Sequence, residues 1–123
     1  MKRASGFTLI ELMVVMAAVG LLLAVAAPRY IEHVDRARET ALRHNLAGLR
    51  EAIDKFYADK FRYPKDLQEL VVERYLRAVP VDPMTERSDS WLPVRPLSQA
   101  EGVFDVRSGA PGKARDGISF AAW

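Results

Sequence analysis

The sequence contains no cysteine among its 123 residues. This absence excludes a disulfide framework, a thiol nucleophile, a thiolate zinc site and an iron–sulfur cluster. A large excess of charge of one sign is also lacking, since the formal net charge is only +2. Of the 18 basic side chains, Lys2 and Arg3 lie in the first six residues, and the other 16 match the 16 acidic ones. Such a balanced chain gives no argument for a nucleic-acid partner, and its length predicts one small domain.

Histidine is scarce as well, with only His33 and His44 in the chain. On one helix these two residues would lie roughly 16 Å apart, which is too far for a shared metal ion. Both are therefore predicted to be surface residues. The sequence shows no serine–histidine–acid pattern and no pair of carboxylates spaced for acid–base catalysis. On the residues alone, enzyme activity is therefore an unsupported hypothesis rather than an excluded one. The chain is predicted not to be an enzyme.

Residues 7–27 form an apolar run in which only Thr8 and Glu11 are polar. As a helix, this run spans roughly 32 Å, which is close to the thickness of a hydrocarbon core. A basic pair precedes it, and positive charge favours the cytoplasmic side of a membrane. The sequence therefore predicts one membrane-spanning helix, with a cytoplasmic N-terminus and with the residues after Pro28 on the other side.

Glu11 distinguishes this run from an ordinary secretory signal peptide. Such a peptide would also have a basic start, an apolar stretch and a small-residue cleavage site such as residues 24–27. A carboxylate costs on the order of 2.5 to 3.5 kcal/mol at the bilayer centre, and less near its edge. A plain export signal has no use for a carboxylate that makes its insertion into the membrane less favourable. We therefore expect Glu11 to have a partner.

The stretch SGFTLIELMVVMAAVGLLLAVAAPRY resembles the class III signal sequence and N-terminal helix of the type IV filament superfamily. That superfamily contains type IV pilins and the pseudopilins of type II secretion. The resemblance implies cleavage after Gly6 by a prepilin peptidase and N-methylation of Phe7 as the new first residue. It also implies a functional carboxylate at Glu11.

These implied roles have a physical basis in a bundle of identical helices. Glu11 of one subunit can pair with the N-terminal amine of Phe7 in its neighbour, so that each charge offsets the burial of the other. A buried ion pair is a weak source of stability but a good means of fixing register. Gly20 and Pro28 interrupt the helix propensity of the same segment. Close packing with a mild kink stays open as their role, and so does local melting near Pro28, which the family resemblance implies.

Apolar residues recur every three or four positions after Pro28, which predicts an amphipathic helix over residues 29–58. The apolar stripe consists of Ile31, Val34, Ala37, Ala41, Leu42, Leu46, Leu49, Ala52, Ile53, Phe56 and Tyr57. The remaining C-terminal residues are too few to bury a core alone. We therefore expect them to fold onto this stripe.

Arginines at seven-residue spacing form a basic stripe along one side of the same helix. Acidic residues stand three or four positions away, at Glu32, Glu39 and Asp54. Because these can compensate the positive charge, ion pairs within the helix or with neighbouring subunits are favoured over nucleic-acid binding. The basic stripe consists of Arg29, Arg36, Arg43 and Arg50.

Residues 59–90 are predicted to form a variable loop with one short helix, which begins near Asp66. Three short antiparallel strands are predicted within residues 91–123. They are WLPVR at 91–95, VFDVR at 103–107 and GISFAAW at 117–123. The predicted fold class is therefore α+β, with a long N-terminal helix packed against a small antiparallel sheet.

The segments RYP, YLRAVPVDPMT, FDVRSG and DGISFAAW look like the C-terminal domain of the G-type major pseudopilin of type II secretion. That resemblance implies calcium bound in an acidic loop near the C-terminus, and calcium requires several oxygen ligands. The corresponding segment, SGAPGKARDG, offers Asp116, whereas Lys113 and Arg115 bring positive charge. A glycine-stabilised turn is therefore favoured over a calcium site, and no cofactor is predicted.

Together these features predict a pilin-like structural subunit with a leader in residues 1–6, an assembly helix in residues 7–28 and a periplasmic domain in residues 29–123. The resemblance implies a single-pass protein of the bacterial inner membrane that polymerises into a pseudopilus. Its implied partners are copies of itself, minor pseudopilins, the prepilin peptidase and the inner-membrane assembly platform. Two alternatives stay open. One is a type IV pilus subunit for adhesion, motility or DNA uptake, and the other is a membrane-anchored periplasmic binding module or enzyme.

Overall fold

A computed structural model describes residues 3–98 and 100–123 of the chain. Its main element is helix α1, Leu9–Lys60, which is 52 residues long and continues through Pro28. The helix ends where Phe61 adopts a left-handed conformation, with φ 56°, and donates its N–H to the Tyr57 carbonyl. This is a common way to end a helix, because the bond satisfies one of the last free carbonyls. Internal contacts divide the chain into two units, the first up to Arg36 and the second Ala37–Trp123.

The first unit exposes its apolar side chains on all sides of the helix. Every described residue from 3 to 33 is exposed, including Leu9 at 76% and Leu21 at 70%. A helix that is apolar all round is typical of a membrane span or of burial among other helices. By its length and composition, α1 contains a segment that can cross a membrane.

The second unit has a hydrophobic core built on one face of α1. The six buried residues of α1 all belong to the predicted apolar stripe: Leu42, Leu46, Leu49, Ala52, Ile53 and Phe56. Later parts of the chain cover them with Leu67, Leu70, Trp91, Val103, Val106, Ala110, Ala114 and Phe120. Full burial of a large apolar side chain contributes about 1.5 to 3 kcal/mol. This part of α1 is therefore stabilised by its own chain.

Helix α2, Leu67–Val72, confirms the predicted short helix and its capping residue. Asp66 accepts the Glu69 N–H at 2.8 Å. Glu69 in turn accepts hydrogen bonds from the Arg62 guanidinium at 2.7 and 3.2 Å, and these bonds lower the pKa of its carboxyl group. Asp66 thus caps the first turn of α2, and Glu69 connects the helix to Arg62 in the segment before it.

Strands β1, Leu92–Val94, and β2, Asp105–Arg107, form a two-stranded antiparallel sheet in which Pro93 lies opposite Val106. Pro93 has no N–H, which is tolerated because each strand of a two-stranded sheet has an open edge. Gly109 follows β2, and a side chain there would collide with the Ser90 carbonyl. The close approach of the two backbone segments therefore requires glycine.

The prediction of a third strand at residues 117–123 is wrong. This segment makes a single bridge, Lys113 to Ser119, and then forms a 3₁₀ helix, Phe120–Ala122. The N–H groups of Ala122 and Trp123 donate to carbonyls three residues earlier. Because these local bonds satisfy the backbone donors, the segment does not need a neighbouring strand.

Candidate assembly site

The side chain of Glu11 is positioned by Thr8, the residue just before α1. The Thr8 N–H donates to Glu11 Oε2 at 3.2 Å, and the Glu11 N–H donates to Thr8 Oγ1 at 3.2 Å. This reciprocal pair is a capping box, which satisfies two backbone donors that the first turn would leave unpaired. The sequence interpretation missed it, although its signal was present. Threonine followed three residues later by glutamate, before an apolar run, is the usual sign of a capping box.

The carboxylate of Glu11 lies in apolar surroundings. It borders a shallow depression of about 300 Å³ that is also lined by Phe7, Ile10, Val14 and Val15. Within residues 3–98 and 100–123, none of the ion pairs involves Glu11. The positive end of the helix dipole favours a carboxylate at this position by about 0.3 to 1 kcal/mol. The described part of the chain therefore offers this carboxylate one backbone donor, the Thr8 N–H, and a helix dipole, but no full opposite charge.

The other residues predicted for this site lie along the same segment. Gly6 and Phe7 precede the helix, and Phe7 is 85% exposed. An added Cβ at Gly6 or at Gly20 would meet nothing within 4 Å, so the described residues give no steric reason for glycine at either place. Pro28 lies inside α1. The roles of these residues in processing, helix packing and kinking stay predictions.

The C-terminal loop, residues 112–119, has a donor set that does not suit calcium. Both carboxylate oxygens of Asp116 are engaged: Oδ1 accepts the Ile118 N–H at 3.0 Å, and Oδ2 lies 3.5 Å from Arg43 Nη2. The described part of the chain has no group of three or more histidine, aspartate or glutamate side chains that could hold a metal ion. Calcium takes about six to eight oxygen ligands. The loop offers one carboxylate towards that number, and this carboxylate is already paired with an arginine.

Two arginines of the basic stripe contact residues far away in the sequence. Arg50 Nε donates to Asp105 Oδ1 at 2.8 Å, and Arg43 pairs with Asp116. Glu39, which was expected to pair within the helix, also has its partner in the C-terminal loop. The prediction of ion pairs within the helix is therefore wrong for Arg43 and Arg50. Charges distant in sequence come within reach because the C-terminal segment folds back onto α1.

Comparisons with known proteins extend these observations. The prokaryotic N-terminal methylation motif matches residues 1–27. The type II secretion system core protein G of Pseudomonas aeruginosa is 32% identical over 129 aligned positions, which cover 91% of this chain and 87% of that protein. The fimbrial protein EcpC of Eikenella corrodens is 31% identical over 117 residues, which cover 91% of this chain and 76% of that protein. The type IV major pilin PilA of Myxococcus xanthus is 40% identical over 68 residues, or 55% of this chain and 31% of its own length. No solved structure matches the chain significantly.

Proposed function

This chain belongs to the family of the type II secretion core protein G and the type IV pilins, and on that premise we propose that it is a pseudopilin. It is the structural subunit of a periplasmic pseudopilus, which it forms by polymerising through α1, and the pseudopilus drives protein export in a type II secretion system. The alignment with core protein G covers 91% of this chain. The similarity therefore includes the C-terminal part of the chain as well as the N-terminal helix.

The observation that carries the mechanism is the setting of Glu11. It is a carboxylate on an exposed apolar helix, and among the described residues its hydrogen-bond donor is the Thr8 N–H. A charge in low-dielectric surroundings is costly unless an opposite charge is close. A cationic group from outside the chain would supply what this carboxylate lacks.

Leader removal would provide that cationic group. Cleavage after Gly6 creates an amine at Phe7, at the start of each subunit's apolar segment. In a bundle of parallel helices, the amine of one subunit can meet Glu11 of the next. When Glu11 exchanges the Thr8 N–H for this amine, its partner changes from a neutral dipole to a full positive charge. Assembly is thereby favoured, and only one register satisfies every carboxylate.

The same proposal sets the location and partners of the subunit. The apolar segment anchors it once in the bacterial inner membrane, with the leader in the cytoplasm and the C-terminal domain in the periplasm. A prepilin peptidase removes the leader and methylates Phe7. The filament is built on an inner-membrane assembly platform, with minor pseudopilins beside copies of this chain. The chain itself is structural, like the relatives it matches, and catalyses no reaction.

A type IV pilus subunit is the second candidate, because the fimbrial protein EcpC also aligns over 91% of this chain. The two functions differ in what a deletion strain loses. A pseudopilin deletion abolishes protein export and leaves pilus-dependent twitching intact. Loss of twitching with normal export would favour the pilin instead.

Replacement of Glu11 by alanine tests the assembly mechanism. Glu11→Ala should still be inserted and processed, but filament yield should fall at least about tenfold, because the neighbouring amine is left buried without a partner. Asp54→Ala is the matched control, since Asp54 is an exposed carboxylate on the same helix. The yield is measured by immunoblotting of sheared filaments. A normal yield from Glu11→Ala would remove the mechanism.

Replacement of Gly6 tests the processing site. Gly6→Val places a branched side chain at the proposed scissile position and should leave the leader attached. Intact-mass spectrometry of the membrane-extracted protein distinguishes the two forms. Detection of a mature Phe7 terminus in this variant would refute the assignment.

A further inference from the structure

The C-terminal loop is joined to α1 by two ion pairs of opposite polarity. Glu39 and Arg43 stand one helical turn apart and therefore share a face of α1. The Arg115 N–H donates to Glu39 Oε1 at 2.9 Å, and Arg115 Nε lies 3.6 Å from Glu39 Oε2. Asp116 Oδ2, on the next loop residue, lies 3.5 Å from Arg43 Nη2. The basic loop residue Arg115 thus pairs with the acidic Glu39 of the helix, and the acidic loop residue Asp116 pairs with the basic Arg43.

Arg43 also contacts the aromatic end of the chain. Its guanidinium carbon lies 4.3 Å from the centre of the Trp123 ring, and Trp123 packs edge-on against Phe120 at 5.3 Å. A guanidinium over an indole ring is a favourable cation–π contact. One arginine therefore connects the loop carboxylate with the residues that follow the loop.

The loop is closed internally by backbone bonds, and one of its residues reaches the core. The Ala114 N–H donates to the Ile118 carbonyl at 2.8 Å, and the Gly117 N–H donates to the Ala114 carbonyl at 2.9 Å. Ala114 is 6% exposed. Ala114 thus packs into the core, and the two residues that follow it make the ion pairs with α1.

We propose that Arg43 is the built-in cation of this loop, so that the loop closes on α1 without calcium. Glu39, Arg43, Arg115 and Asp116 together form what we name the charge latch. A divalent ion would require converging oxygen ligands. The loop instead brings one carboxylate, already engaged by Arg43, and two basic residues that repel a cation.

The charge latch predicts a distinctive response to ions. Its side chains are partly exposed, between 16% for Glu39 and 62% for Arg43. Ion pairs with this exposure are weakened by added salt, because mobile ions screen them. Calcium and chelators, at equal ionic strength, should have no effect on the loop. A loop that depends on a bound divalent ion would instead be stabilised by calcium and destabilised by a chelator.

The test uses the full chain in detergent micelles, with hydrogen exchange of residues 112–119 and the melting temperature as readouts. Wild type should give the same values in calcium and in chelator. Arg43→Gln should speed exchange of the loop by roughly twofold to fivefold in both, as expected for the loss of a partly exposed ion pair. Lys113→Gln is the control, because it removes a charge from the same loop without touching the charge latch. It should leave exchange unchanged.

A charge exchange separates the ion pair from a general effect of substitution. Glu39→Arg and Arg115→Glu should each speed loop exchange. The double variant restores the side-chain ion pair with reversed charges and should exchange more slowly than Glu39→Arg, although the Arg115 N–H remains without its Glu39 acceptor. Protection of the wild-type loop by calcium, or its loss in chelator, would overturn the proposal. Unchanged exchange in Arg43→Gln, or a double variant worse than both single variants, would do the same. None of these readouts involves filament assembly, so the result is independent of the proposed function.

Discussion

The two parts of α1 differ in what covers them. Up to residue 33 every described side chain is exposed, whereas six apolar residues between Leu42 and Phe56 are buried by later parts of the same chain. Both parts are helical and both are rich in apolar residues. Helix formation and burial are therefore separate properties, and the first unit requires a cover from outside the chain. Lipid or neighbouring subunits can supply that cover.

Polar groups show the same contrast. In the second unit, buried Asp82 accepts the Ser108 hydroxyl at 2.6 Å, and no buried side-chain nitrogen or oxygen in the described residues lacks a partner. In the first unit, Glu11 has no basic partner among the described side chains. Within the described residues, the second unit therefore satisfies its own buried polar groups, whereas we propose that a neighbouring subunit supplies the partner of Glu11 in the first.

The largest expected effect comes from truncating the core of the second unit. Phe56→Ala should lower the free energy of unfolding by about 3 to 5 kcal/mol, because Phe56 is fully buried on the core face of α1. Leu22→Ala is the matched change in the first unit, where Leu22 is 69% exposed. It should leave the unfolding of the second unit unchanged. Both tryptophans, Trp91 and Trp123, lie in the second unit, so fluorescence in a urea titration reports on it alone. Similar losses from the two variants would erase the contrast.

A smaller effect is expected from the buried polar pair. Ser108→Ala removes the donor to Asp82 Oδ2 and the acceptor of the Ala110 N–H at 3.1 Å. Leaving these buried groups without partners should cost about 1 to 3 kcal/mol. Ser88→Ala, at an exposed serine, is the control and should be close to neutral. If the two serine variants unfold at the same urea concentration, the polar groups of the second unit are not held as described.

The smallest effect is a dependence on alkaline pH. The Tyr75 hydroxyl donates to Asp59 Oδ2 at 2.6 Å, and this bond, lost on ionisation, raises the pKa of Tyr75 to about 12. Since an unfolded tyrosine titrates near pH 10, the stabilisation is fully present below about pH 10 and is lost as the pH rises toward 12. Tyr75→Phe should therefore be less stable than wild type at neutral pH, and the difference should vanish above about pH 12. A difference that stays constant across this range would show that the bond does not control the titration.

The helical periodicity made the most reliable predictions. The apolar run, the amphipathic continuation and the short helix capped by Asp66 all occur as expected, because local side-chain patterns determine them. His33 and His44 are exposed, as predicted. The predicted apolar stripe extends beyond the part of the helix that is buried, since Ile31 is 60% exposed. Periodicity identifies which face of a helix is apolar, but not at which residue the rest of the chain begins to bury that face.

The errors concern contacts that depend on the whole fold. Alternation in GISFAAW predicted a strand, but local bonds formed a 3₁₀ helix instead. The partners of Arg43 and Glu39 lie more than 70 residues away in sequence. No spacing rule within a helix can predict such pairs. The capping box at Thr8 was readable from the sequence and was overlooked beside the stronger membrane signal.

The most direct measurement is a high-resolution structure of the assembled filament. We expect a carboxylate oxygen of Glu11 to lie within hydrogen-bond distance, about 3 Å, of the N-terminal nitrogen of Phe7 in an adjoining subunit. A Glu11 side chain that faces lipid or solvent, with no amine nearby, would contradict the proposed role of this carboxylate in assembly.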